Sequence, residues 1–151
     1  HPDGWNLNLG DRALIPRYLH IVNGAIALFS AILAHLGLRK MKDDLEYGRW
    51  MVQRSALVFA ACTGLQFLLG MWLLLAIPRP IAMVLLRDPL TGAVFGLALI
   101  SVISAMLLIL LGSLAEKPGP LVHAGFAMSL VTLFLMVCLR YLLRLAYLRP
   151  I

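Results

Sequence analysis

Four histidines occur in the 151 residues, and three of them, His20, His35 and His123, fall inside stretches apolar enough to lie in lipid. An imidazole in hydrocarbon costs free energy until something satisfies it, so each ring marks a candidate site. A histidine close to a helix end can also be satisfied by a carbonyl or by interfacial water, and all three lie within a few residues of an expected end. Their relative placement argues for more. His20 and His35 are 15 residues apart, which on a helix is ~22 Å along the axis and about 60° around it. One face of one helix therefore carries an imidazole near each membrane surface. Between them on that face come Gly24, Ala27 and Ala31, all small and spaced at helical steps. Such a stripe suits a flat macrocycle lying against the helix, and it equally suits close helix packing in lipid.

His123 stands just inside the last apolar segment, which runs antiparallel to the first, so it reaches the depth of His35. Two imidazoles from different helices at one level form the axial ligand set of a low-spin haem b, whose porphyrin fills the space between helices. From His123 the same face continues through Ala127, Leu130, Phe134 and Cys138, which brings Cys138 to the depth of His20. Met71 and Met136 lie near that depth, and either thioether can complete a second haem site with His20. One or two haems b are therefore expected, with His20, His35, His123, Met71 and Met136 as the candidate iron ligands. Zinc is disfavoured, because no carboxylate lies in the apolar segments and neither Cys62 nor Cys138 falls at ligand spacing to a histidine. A proton relay would need an intramembrane acid.

The elements that must hold these rings are legible from hydropathy. The chain is 62% hydrophobic and 13% charged, with a mean hydropathy of +0.91, which places it among membrane proteins. Crossing the ~30 Å hydrocarbon layer takes ~20 apolar residues, and four segments qualify, at about 16–38, 55–77, 91–114 and 120–147. Pro16 suits a first helical turn, Pro78 and Pro80 stop the second segment, DPLTG opens the third, and EKPGP separates the third from the fourth. The expectation is an all-α, integral membrane, up-and-down four-helix bundle, a single transmembrane domain over 1–151 that can belong to a larger helical subunit. The chain opens on His1 without an initiator Met, an n-region or a cleavage motif, so a portion of something longer is expected. Gly92 and Gly96 have the spacing of a helix-packing motif, and Tyr18, Trp50, Trp72, Tyr141 and Tyr147 sit where interfacial aromatics anchor.

A formal charge of +6 raises the question of nucleic acid, but the basic residues cluster at the ends of apolar segments, where they meet lipid headgroups. Arg39, Lys40, Lys42, Arg49 and Arg54 form a compact group, whereas Arg12, Arg17, Arg79, Arg87, Arg140, Arg144 and Arg149 are scattered over the other end. The compact group selects 39–54 as cytoplasmic and 1–15 as external in a cell inner membrane.

HPDGWNLN followed by PRYLHIVNGAIALFSAILAHLGLRKMKDDLEYGRWMVQRSALVFAACTGLQFLLG resembles the central part of subunit I of the cytochrome bd quinol oxidases. There a proline-glycine polar segment outside the membrane leads into a helix that begins with an aromatic residue, one further residue and a histidine. In that family this histidine ligates the low-spin haem b that takes electrons from quinol, opposite a methionine. The resemblance implies His20 as a haem ligand, an external amino-terminal segment and a cytoplasmic turn after the first helix. It covers about residues 5–70. Beyond it the loop after the second helix is too short for the family's quinol-binding loop, no segment corresponds to the helices around the oxygen-reducing haems, and the ligand methionine has no assigned counterpart. His35 and His123 have no place in the family pattern and rest on geometry alone.

The expected protein is thus a haem-b membrane subunit passing electrons between the quinone pool and a partner within a respiratory or other redox complex. If it is enzymatic, it serves as a quinol/quinone oxidoreductase subunit. Lipids, quinone and other subunits are its expected partners, with Arg17 at a headgroup, a haem propionate or a quinone oxygen, and Gly24 on the cofactor face. The alternative is a cofactor-free subunit that anchors a larger complex.

Overall fold

The computed structural model describes residues 10–148, with backbone only at Leu86 and at 146–148. Trp5 of the polar lead-in, Arg149 and the side chain of Tyr147 lie outside that description. Five helices follow in order: α1 (Leu14–Lys40), α2 (Leu45–Ala76), α3 (Arg79–Arg87), α4 (Pro89–Leu114) and α5 (Gly119–Leu148). All except α3 are long and apolar enough to cross a membrane, which makes this a multi-pass helical membrane protein.

Side-chain contacts give the topology. On α1 and α2, residue 20 lies against 70, 24 against 66 and 37 against 52. One helix advances as the other retreats, so the two form an antiparallel hairpin. α4 and α5 do the same, with 112 against 122, 109 against 125 and 101 against 132. The hairpins join through α2 on α4 and α1 on α5, closing a four-helix ring. Small side chains fill its centre. Ala31, Ala34, Ala56 and Ala105 are fully buried, together with Val52, Phe59, Ile109 and Val122. Large apolar residues such as Ile26, Leu68, Ile100 and Phe134 point outward. Lipid tails are as apolar as leucine, so the core is packed by shape and the outer surface solvates the bundle.

Two boundaries differ from the sequence reading. α2 starts at Leu45 and not near Ser55, because the Asp44 carboxylate caps it by accepting from the Tyr47 backbone N–H at 3.0 Å. At ~1.5 Å per residue the helix is ~48 Å long, so its first ten residues extend beyond the hydrocarbon as a charged, aromatic spur. The connection after α2 is also more than a loop. Pro78 starts α3, in which Ile81, Val84 and Leu85 share one face, and this short amphipathic helix lies over α4 and α5. α4 then opens on Asp88, whose carboxylate accepts from the Thr91 N–H at 2.9 Å and from its hydroxyl at 2.6 Å.

The packing glycines are not the pair with motif spacing. A Cβ on Gly96 would meet nothing within 4 Å, and one on Gly92 would meet only the Leu85 carbonyl of α3 at 3.4 Å. The close approaches occur elsewhere. A Cβ on Gly37 would come to 2.8 Å from Val52 Cγ2, and one on Gly125 to 2.6 Å from Ile109 Cγ1 and 3.0 Å from its backbone nitrogen. Each hairpin closes on one of these.

Candidate functional site

α1 and α5 bring His35 and His123 together. Their Nδ1 atoms are 3.2 Å apart and their ring centroids 4.8 Å, with the planes inclined at 64°. His35 stands five residues before the end of α1 and His123 four residues after the start of α5, so the pair lies at the end of the bundle that carries the α1–α2 turn. Phe126, one turn along α5 from His123, lies against the His35 ring at a centroid distance of 4.8 Å. His35 is half-buried, while His123 is exposed on the outer surface. A bond between two Nδ1 atoms needs one ring protonated there and the other bare, so the rings satisfy each other with complementary tautomers.

The donor set, two imidazoles, is one that iron accepts. Their spacing is that of a hydrogen bond. A metal between two imidazole nitrogens keeps each at roughly 2.0–2.1 Å, so about 4 Å separates the pair, and the rings must part by about 0.8 Å to admit it. The small stripe on α1 is also filled. Ala27, Ala31 and Ala34 are buried in the core cluster, and the space over Gly24 is taken by Gln66, whose Nε2 would sit 3.1 Å from a Cβ there. As they stand, the rings and this face are packed by protein, and a porphyrin between α1 and α5 requires that packing to open. Among the described residues no three His, Cys, Asp or Glu side chains gather to hold a metal.

His20 lies at the other end, packed between α1 and α2. Its ring rests against Gly70, where a Cβ would come to 3.3 Å from Cε1, and its Nδ1 is buried without a hydrogen-bond partner. Gly70 is the cradle that admits the ring. Met71, the next residue along, is 59% exposed and turned away from that contact, Met136 and Cys138 on α5 are half-buried, and α5 packs on α1 while His20 faces α2. Arg17 is exposed and lies 3.7 Å from Asp11, a surface ion pair.

A polar cluster beside His20 carries much of the local specificity, and sequence reasoning passed over it. Asn23 Nδ2 donates to the Cys62 carbonyl at 2.8 Å and to Gln66 Oε1 at 2.5 Å, while Gln66 Nε2 donates to the His20 carbonyl at 2.9 Å. Two side-chain amides thus stitch α1 to α2 in the apolar layer, where polar side chains act across helices. The available signal was the presence of two amides inside apolar segments. At the opposite end, Arg49 Nη2 donates to the carbonyl of Ala115, the C-cap of α4, at 2.8 Å. A guanidinium at a helix C-terminus is favoured by the helix dipole, and here it clamps one hairpin to the other.

No family model matches the chain, and no curated protein or solved structure shows a significant match to it.

Proposed function

We propose that this chain is a haem-b-carrying membrane subunit that moves electrons between quinone and a partner in a redox complex of the cell inner membrane, with residues 39–54 on the cytoplasmic side. The observation that supports it is the meeting of His35 and His123 from two different helices at one depth. Haem, when bound, supplies the one-electron chemistry. The chain's own contribution would be two imidazole nitrogens and an aromatic wall at Phe126. His20, with its buried unpartnered Nδ1, is the candidate ligand at the far end. A reduced-minus-oxidised spectrum of the purified protein, with pigment quantified per chain, tests this. The expected result is a b-type signal that His35→Leu and His123→Leu each abolish at that site. Fully loaded material with no b-type signal, or one that both variants leave intact, overturns the reading.

A second reading, a cofactor-free anchor, draws on the filled alanine face and the direct contact of the two rings. On that reading the histidines only satisfy each other, and both leucine variants leave assembly and turnover of the complex unchanged.

A further inference from the structure

Arg54 has no place in the proposed redox site or in the bundle's packing. It sits on α2 at the last position before the apolar run that begins at Ser55. From Ser55 to Ala76 is 22 residues, or ~33 Å at ~1.5 Å per residue, about the thickness of the hydrocarbon layer. Arg54 is therefore held at phosphate depth. Its guanidinium is exposed and makes no hydrogen bond or ion pair with any described residue, whereas its neighbours at this end are engaged: Arg49 binds the Ala115 carbonyl, and Lys40 lies 3.6 Å from Asp43. Beside it a groove of about 460 Å³ runs down the outer face of the α1–α2 hairpin, between Phe29 and Leu33 on one wall and Trp50 and Val58 on the other. Its exposed lining is largely apolar, with Ser30 and Ser55 buried beneath. Trp50, 52% exposed and stacked with Tyr47 at 5.8 Å, stands at its polar end.

We infer that this groove is a binding site for one anionic phospholipid, with the phosphate on Arg54 and an acyl chain along Phe29, Leu33 and Val58. The charge argument selects the occupant. A free guanidinium at phosphate depth binds a phosphodiester through paired N–H donors, and a headgroup without a compensating ammonium keeps its full attraction to that charge. An unpaired cation next to lipid is worth about a fivefold preference for an anionic headgroup.

Delipidated full-length protein in a neutral detergent, offered equal amounts of phosphatidylglycerol and phosphatidylcholine with identical chains, provides the test by native mass spectrometry. The expected result is one phosphatidylglycerol retained about fivefold over phosphatidylcholine. Arg54→Gln should remove the preference, Arg54→Lys should keep most of it, and Val58→Trp should lower retention of both lipids by filling the groove. Arg87→Gln, on α3 at the opposite membrane surface, should change nothing. Equal retention of the two lipids by the unaltered protein overturns the inference. So does a preference that survives Arg54→Gln while the variant melts like the parent, or displacement of phosphatidylglycerol by a quinone with the same dependence on Arg54.

Discussion

A Cβ placed on Gly125 would press against Ile109, 2.6 Å from Cγ1, 3.0 Å from the backbone nitrogen and 3.1 Å from the Ala105 carbonyl. The side-chain contact can be relieved by a rotamer change, but the two backbone contacts can be relieved only by moving α4 away from α5. Gly125→Ala therefore overpacks the hairpin, at a cost of about 1–3 kcal/mol. The Gly→Ala gain in helix propensity, about 0.8–1 kcal/mol, recovers part of this. A net loss of up to about 2 kcal/mol is expected. Gly96, on α4, serves as the control, since a Cβ there meets nothing within 4 Å. Gly96→Ala collects only the propensity term and should stabilise by up to about 1 kcal/mol. Reversible unfolding by SDS in mixed micelles, followed by far-UV circular dichroism, measures both. The propensity term is common to both variants, so they should differ by the overpacking cost alone, about 1–3 kcal/mol, with Gly125→Ala the less stable. Equal stability of the two, or a Gly96→Ala loss as large as that of Gly125→Ala, would refute the packing argument.

The amide cluster gives a second expectation. Gln66→Leu removes one interhelical acceptor and one donor and should destabilise by about 1 kcal/mol, the scale of side-chain hydrogen bonds between membrane helices. Combined with Asn23→Leu in a double-mutant cycle, it should show coupling, and a coupling energy of zero would mean that the two amides act independently. Arg49→Leu deletes a charge-assisted bond between the hairpins and should cost about 1.5–3 kcal/mol, whereas Arg54→Leu, measured the same way in neutral detergent, should cost almost nothing. If haem occupies the α1–α5 site, His35→Leu and His123→Leu should lose the same pigment; loss in one variant alone would assign a single ligand there.

The bundle class, its four apolar spans and its alternating direction were legible without coordinates, because each depends on a local quantity. Twenty or so apolar residues must cross the layer, and four-residue connections at 41–44 and 115–118 leave the chain no course but to turn back. The meeting of His35 with His123 was legible for the same reason, since antiparallel helices entering from one surface bring equal offsets to equal depth. How far the two rings stand from each other was not. That depends on which face each helix turns inward, and helices that are apolar all round show no amphipathic stripe to announce it. The same ambiguity hid the roles of Gly37 and Gly125 behind the more conspicuous Gly92 and Gly96, and left the alanine stripe of α1 with two readings, between which only the packing of α2 and the second hairpin against it chooses. The polar spur of α2 and the short α3 were concealed for another reason: charge and proline mark where a membrane span stops, but not whether the backbone beyond it stays helical, which the Asp44 cap decides for α2 and prolines at the first turn decide for α3. Depth in the membrane is written along the chain, one residue at a time. Azimuth is settled only when four helices pack together, because in lipid shape and paired polar groups choose the inward face.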